Sequence, residues 1–209
     1  LHEIVHGLRR RGSHAIILKL DFKKAYDSIS WDFLRQVLHA KGFDVGFVHR
    51  LMQLVSGGHT VVAVNGSIIK YFTNGRGLWQ GDPISPILFN FVADALSCML
   101  DRAASSDHIS PVISHLLPRG ITHLQYANDT IILVELNEAC LANLKFILLC
   151  FEALSGLKIN FSKSEVILTG VDAAEALRVA QLLNCSLGSF PLKYLGTPIS
   201  PLHLCAKEF

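Results

Sequence analysis

Three short polar islands interrupt an otherwise apolar chain, and each carries residue types that could do chemistry. The first runs from Asp21 to Asp27 (DFKKAYD), the second from Gly77 to Pro86 (GLWQGDPISP) and the third from Tyr126 to Thr130 (YANDT). A carboxylate at the end of a buried strand is costly unless it is paired, solvated or holds a cation. A Gly- and Pro-rich loop ahead of a helix either starts the helix or presents backbone N–H groups to an anion such as phosphate. Asn and Asp at a hairpin tip are ordinary turn residues. Taken singly, each island has a purely structural reading. Taken together, a carboxylate at a strand end and another at a hairpin tip can meet on one sheet edge. Two hard oxygen ligands there suit Mg²⁺, which favours one or two carboxylates plus substrate phosphates. Two such ions ~3.5–4 Å apart would clamp an in-line phosphoryl displacement.

The elements that must position these islands follow from periodicity. Leu1 to Arg11 reads as a short helix with Ile4, Val5 and Leu8 on one face. Ala15 to Phe22 is an apolar run read as a buried strand ending at Asp21. Ser30 caps a helix carrying Phe33, Leu34, Val37 and Leu38, which Gly42 stops. Asn65-Gly66 between Val61–Val64 and Ile68–Phe72 is a hairpin signal. Asn74 to Gln80 is a loop, and Pro86 opens a helix through Leu100. Ile121 to Tyr126 and Thr130 to Glu135 form a second hairpin around Ala127-Asn128-Asp129. A helix over Glu138–Leu154, a strand over Glu165–Thr169, a helix over Ala173–Leu183 and an extended Pro191–Ile199 segment complete the chain. This order predicts an α+β fold, with helices on one face of a small, largely antiparallel sheet.

Composition narrows the class. The chain has 209 residues, 50% of them hydrophobic and 17% charged, which excludes a disordered tail and a collagen-like repeat. Net charge is only +2, so a nucleic-acid surface must be a local patch such as Arg9 to Arg11, or Lys23 with Lys24. The alternative for these residues is a solvated basic face. The five cysteines (Cys98, Cys140, Cys150, Cys185, Cys205) show no CxxC spacing and read as buried, reduced thiols in an intracellular protein. Ten scattered histidines give no zinc-ligand spacing. No apolar run reaches bilayer length and no signal peptide is visible, so no membrane partner is expected. The chain begins at Leu1 and is expected to be a piece of a longer reading frame. Asn65, Asn128, Asn160 and Asn184 open Asn-x-Ser/Thr triplets. They are the only support for a different class, a secreted glycoprotein.

Five segments in order resemble the reverse transcriptase domain of a non-LTR (LINE-type) retrotransposon of the plant kind. LKLDFKKAYDSISWDFL resembles that family's first carboxylate motif, GLWQGDPISPILFN its GxRQGDPLSP motif and HLQYANDTIIL its (F/Y)ADD motif. SGLKINFSKSE and FPLKYLGTPIS resemble the two that follow, so the likeness spans about residues 15 to 200. The resemblance implies a polymerase palm with a ferredoxin-like βαββαβ core, partial fingers and no thumb. Residues 1–14 would end the fingers, 15–172 form the palm, and 173–209 form a primer-grip region leading to the thumb. It implies metal ligation by Asp21 and Asp129, with two Mg²⁺ or Mn²⁺ ions in a competent site. Tyr26 would be the steric gate against a 2′-OH, and Gln80 and Gly81 would contact the incoming nucleotide. Lys163 would protonate the pyrophosphate or act by charge, with Lys158 as its rival. The partners implied are an RNA template, a DNA primer and deoxynucleoside triphosphates, and the location implied is the nucleus.

Two positions depart from the family. Asn128 stands where the first Asp of Ala-Asp-Asp belongs, and Trp79 stands where the family has Arg. Asn is neutral and offers one carbonyl oxygen, its NH₂ group being unable to face a cation. Loss of a ligand is expected to impair polymerisation strongly. Loss of Arg removes a basic contact and requires that a large ring be housed. Both changes fit single transitions in an element decaying without selection. Hence the competing expectation is a catalytically dead remnant that acts at most as a nucleic-acid-binding module.

Overall fold

The computed structural model describes residues 1–113 and 117–201, with the backbone alone for residues 69–71. In chain order the elements are α1 (His2–Arg11), β1 (Ala15–Leu20), β2 (Phe22–Lys23), α2 (Ala25–Ser28), α3 (Trp31–Ala40), α4 (Val45–Ser56), β3 (His59–Val64), β4 (Ser67–Thr73), α5 (Ser85–Ser105), β5 (His123–Tyr126), β6 (Asp129–Glu135), α6 (Glu138–Ser155), β7 (Lys158–Ile159), β8 (Glu165–Thr169), α7 (Ala173–Leu183), β9 (Ser186–Leu187), β10 (Leu192–Tyr194) and β11 (Thr197–Ile199). They form two compact units. Leu1–Phe22, Leu96–Cys150 and the chain from Ile159 onward make the first, and Lys23–Ala95 with Phe151–Lys158 make the second.

The first unit is built on a five-stranded sheet of order β5-β6-β1-β8-β9. β1 lies antiparallel to both β6 and β8, and β5 antiparallel to β6, while β9 joins β8 in parallel. The four antiparallel strands follow the order expected of a βαββαβ core. β1 is central because its run AIILKL is apolar on both sides, and Ala15, Ile16, Ile17 and Leu18 are all fully buried. On one face Ile17, Ile131, Leu133 and Ile167 pack with Ile4, Val5 and Leu8 of α1 and with Leu192 and Ile199 of the β10–β11 hairpin. On the other face Ile16, Leu18, Ile132, Val134 and Val166 are also fully buried. The sheet is therefore covered on both sides, whereas the sequence pattern anticipates helices on one. α1 ends at Gly12, whose φ of 62° closes the helix with its N–H bonded to the Arg9 and Leu8 carbonyls.

The second unit is mainly helical. Ser30 caps α3 by accepting from the Phe33 N–H at 3.3 Å, as its position predicts. Asp44 caps α4 by accepting from Phe47 N–H at 3.0 Å, and Val48, Leu51, Met52 and Val55 form the buried face of a helix the sequence reading left unassigned. Phe33 meets Phe151 edge-on at 6.4 Å, and Phe43 meets Phe91 edge-on at 5.4 Å. The β3–β4 hairpin turns at Asn65-Gly66, both at positive φ, as expected.

The cysteine reading needs one correction. Cys140 is buried and accepts bonds from the Ser110 backbone and the Asn137 amide at 3.1 Å, but Cys98 is exposed. Leu96 and Leu100 of α5 point inward, and position 98 falls between them on the opposite side of the helix. Cys150 and Cys185 are half-buried, and burial pushes the Cys185 thiol up to about 11. Cys205 lies outside the described residues. Among the described residues no helix is long and apolar enough to cross a membrane.

Because Ile17 is fully buried in the central strand, Ile17→Ala is expected to cost ~2–5 kcal/mol of stability. Urea unfolding followed by circular dichroism measures it, and a loss below ~1 kcal/mol would contradict the packing described.

Candidate active site

The residues singled out from sequence fall in both units, and each group is described within its own. In the first unit, β1 pairs with β6 so that Leu20 faces Thr130. Asp21 and Asp129 are the next residues along these neighbouring strands, at the edge where β1 ends. Directly opposed residues of antiparallel strands have Cα atoms roughly 4.5–5.5 Å apart, so this register brings two carboxylates within mutual reach. Asp129 itself pairs with Tyr126 of β5 and belongs to β6, so the hairpin turn is only Ala127-Asn128, one residue shorter than the sequence suggests. Ala127 sits at φ 51°, a left-handed conformation that disfavours a residue with a Cβ. Such backbone strain costs roughly 1–3 kcal/mol and persists where the surroundings enforce it. Asn128 is exposed at this tip and Asp129 is half-buried.

Asp21 is held from three directions by the segment between β7 and β8. Its backbone N–H donates to Ser164 Oγ at 3.1 Å, and its carbonyl accepts from the Asn160 N–H at 2.7 Å. Its carboxylate Oδ2 accepts from Asn160 Nδ2 at 2.9 Å. The N–H groups of Lys163 and Ser164 both bond the Asn160 carbonyl, closing a tight turn. Ser162 Oγ donates to Asn160 Oδ1 at 2.9 Å, which fixes the amide with its NH₂ toward Asp21. Asn160 is 9% exposed, so this Asn-x-Ser triplet is engaged in the fold and unsuited to glycosylation. The sequence marks Lys163 in this segment. Asn160 and Ser164 are missed, because nothing local tells a partner of Asp21 from a turn residue. Lys163 is exposed on the same turn, while the rival Lys158, also exposed, belongs to the second unit.

Tyr194 of β10 approaches the same edge. Burial, and then the negative charge of Asp129, push its hydroxyl above the ordinary tyrosine range. Lys19 donates to the Lys193 carbonyl at 2.9 Å and ties β10 to β1. The FPLKYLG segment is thereby brought to the carboxylate edge. Among the described residues no three His, Cys, Asp or Glu side chains gather to hold a metal. The edge offers two carboxylates and the Asn128 carbonyl oxygen, hard oxygen donors of the type Mg²⁺ and Mn²⁺ accept.

In the second unit, the half-buried Tyr26 ring stacks on Phe89 of α5, with centroids 4.9 Å apart and planes 19° off parallel. The loop after β4 is anchored directly beneath it. Leu78 N–H donates to the Tyr26 carbonyl at 2.7 Å, Gly77 N–H to the Ile29 carbonyl at 2.8 Å, and Trp31 Nε1 to the Gly77 carbonyl at 2.7 Å. Gly77 has φ 87°, and a Cβ there would lie 2.7 Å from the Asp27 carbonyl oxygen, so only glycine permits this approach. Gln80 donates to Asp27 Oδ1 at 3.4 Å, and Gly81, at φ 93°, is open to solvent. Asp82 accepts from the Ile84 N–H at 3.1 Å in the turn ahead of α5. Asp27, Gly77, Leu78, Trp79 and Gln80 line an open groove of about 640 Å³ together with Thr60, Asn74 and Arg76. Trp79 is housed against Gly58, where a Cβ would come within 2.4 Å of the indole ring. Arg9, Arg10, Arg11, Lys23 and Lys24 are all exposed.

A family model described as reverse transcriptase (RNA-dependent DNA polymerase) matches residues 1–199. The chain is 28% identical over its whole length to the Transposon TX1 uncharacterized 149 kDa protein of Xenopus laevis, of which it spans 15%. It is 34% identical, over 70% of its length, to the Pol polyprotein from the type-2 retrotransposable element R2DM of Drosophila melanogaster, of which it spans 13%. Among solved structures, the telomerase of Candida tropicalis in complex with a telomeric RNA fragment matches 99% of the chain with a TM-score of 0.63 at 13% identity, over 33% of that protein.

Because Trp79 fills the space that Gly58 leaves, Gly58→Ala is expected to displace the indole. The tryptophan emission should shift to the red and acrylamide quenching should rise. Unchanged emission and quenching would show that the ring does not rest on Gly58.

Proposed function

This chain belongs to the reverse transcriptase family, as the reverse transcriptase domain of a non-LTR retrotransposon, and from that premise we propose that its two-carboxylate edge is the catalytic centre of RNA-templated DNA synthesis, weakened by Asn128. The observation that carries this reading is the β1–β6 register, which sets Asp21 beside Asp129 at one strand end. The partners are an RNA template, a DNA primer and deoxynucleoside triphosphates. Integration primed at a chromosomal target would take place in the nucleus.

Asp21 and Asp129 would hold the divalent cation, Mg²⁺ or Mn²⁺. When bound, the cation neutralises phosphate charge and makes the attacking hydroxyl more acidic. The primer 3′-OH gives its proton to solvent, and its oxygen forms the new bond to the α-phosphorus as the bond from that phosphorus to the bridging oxygen breaks and pyrophosphate leaves. Lys163 supplies a proton or a positive charge to that leaving group. Tyr26, held by its stack on Phe89, presents the ring edge that excludes a ribose 2′-OH. Gln80 and Gly81, on the anchored loop, contact the incoming nucleotide. Grip on the nucleic acid comes mostly from phosphates and shape, because a polymerase must accept any sequence. Arg9 to Arg11, Lys23 and Lys24 are exposed and available for such contacts.

Asn128 sets the limit. A second ion needs a further anionic oxygen at the hairpin tip, and the Asn amide brings none. Losing such a ligand costs several kcal/mol of transition-state stabilisation, on the order of 10² to 10⁴ in rate. The rival reading, a remnant that binds nucleic acid without catalysis, is favoured by the same residue. Primer extension on an RNA template with Mg²⁺ separates the two, with the chain carried in its full natural reading frame. Asn128→Asp is expected to raise the rate by roughly 10²- to 10⁴-fold. Equal rates would show that Asn128 is tolerated. Silence from both would support the non-catalytic remnant.

A further inference from the structure

The contacts around Asp21 carry one inference about a residue that touches neither substrate nor cation. We propose that Asn160 is the positioning residue of Asp21, fixing which carboxylate oxygen is left for a divalent cation. The inference rests on the reading of Asp21 as a metal ligand.

A carboxylate at a strand end can rotate about its last side-chain bond, because that torsion is broad. Asn160 removes this freedom. Its Nδ2 holds Oδ2 of Asp21 at 2.9 Å, and among the described residues no donor reaches Oδ1. The amide is itself fixed, since its Oδ1 accepts from Ser162 Oγ at 2.9 Å and its backbone N–H bonds the Asp21 carbonyl at 2.7 Å. A hydrogen bond from a neutral amide keeps the full negative charge on Asp21, whereas a Lys or Arg at this place would compete with a cation for it. Asn thus suits the task by its neutrality, its single-plane NH₂ donor and its length. Partners of this outer kind typically govern metal affinity by 10- to 100-fold.

Ser164 provides an internal contrast. It is fully buried and accepts from the Asp21 backbone N–H at 3.1 Å, so it holds the strand end without touching the carboxylate. If Asn160 merely stabilised the turn, removing either residue would act alike. If it orients the carboxylate, the two separate.

Mn²⁺ binding measured by electron paramagnetic resonance on the intact chain tests this, with thermal unfolding run in parallel. Asn160→Ala is expected to weaken Mn²⁺ binding ~10- to 100-fold. Ser162→Ala, an exposed position that leaves the fold intact, should weaken it by a smaller factor. Ser164→Ala should lower the melting temperature while changing Mn²⁺ affinity far less than Asn160→Ala. Unchanged Mn²⁺ affinity in folded Asn160→Ala, beside a loss in Asp21→Asn, would overturn the positioning role and leave the metal-ligand reading standing. Unchanged affinity in Asp21→Asn would overturn both. Side-chain amide hydrogen exchange gives an arm without metal. The Asn160 NH₂ protons should exchange slowly in the natural chain and faster in Asp21→Ala, and equal rates would contradict the contact itself.

Discussion

A carboxylate at the end of an apolar strand must be hydrated, hydrogen-bonded or paired with a cation, and the first unit answers that constraint around Asp21. β1 is apolar on both faces because it lies between β6 and β8 in the middle of the sheet. Its last residue is followed by the half-buried Asp21, whose carboxylate keeps part of its hydration and accepts a hydrogen bond from Asn160. β6 and β8 meet that demand differently. β6 begins with Asp129, a second carboxylate at the same edge, and the exposed Asn128 precedes it in the turn. The segment ahead of β8 arrives with Asn160 and Ser164, which bond Asp21 from behind and keep it in place. Protein groups thus hold Asp21 on the β8 side, with Asp129 on the β6 side.

The second unit solves a related problem mainly through its backbone. Tyr26 and the loop carrying Gln80 are distant in sequence, yet the bonds from Leu78 to Tyr26 and from Gly77 to Ile29 make them one piece. The Trp31 indole adds a third tie at Gly77. Gly77 is what lets the two chains lie so close, since a Cβ there would strike the Asp27 backbone. Any ligand of the groove therefore meets Asp27 and Gln80 in a fixed relation to each other. Trp79 is accommodated in the same loop because Gly58 has no side chain.

Much of this was legible in the sequence where a residue's role is local. The short helix over Leu1 to Arg11, the Ser30 cap, the Asn65-Gly66 turn and the apolar run of β1 each follow from short-range rules, and each is found. The carboxylate at a strand end and the pair at a hairpin tip were legible as islands of polarity in apolar surroundings. What could not be read depends on partners far along the chain. In sequence Asn160 is one of four interchangeable Asn-x-Ser/Thr triplets, and its partner Asp21 lies 139 residues away along the chain. α4 went unassigned because its apolar positions are interspersed with exposed Val45, Phe47 and Leu54, which blur the helical period. The exposure of Cys98 depends on which way α5 faces, a matter of tertiary packing.

The arrangement at the carboxylate edge can be seen directly in a crystal grown with Mn²⁺ and a non-hydrolysable deoxynucleoside triphosphate, through the anomalous scattering of the manganese. The expected map has its strongest peak bridging Asp21 and Asp129, with Asn160 still bonded to the other oxygen of Asp21 and the Asn128 amide bearing no second metal. Manganese bound elsewhere, with the two carboxylates turned apart, would contradict the assignment of this edge as the catalytic centre.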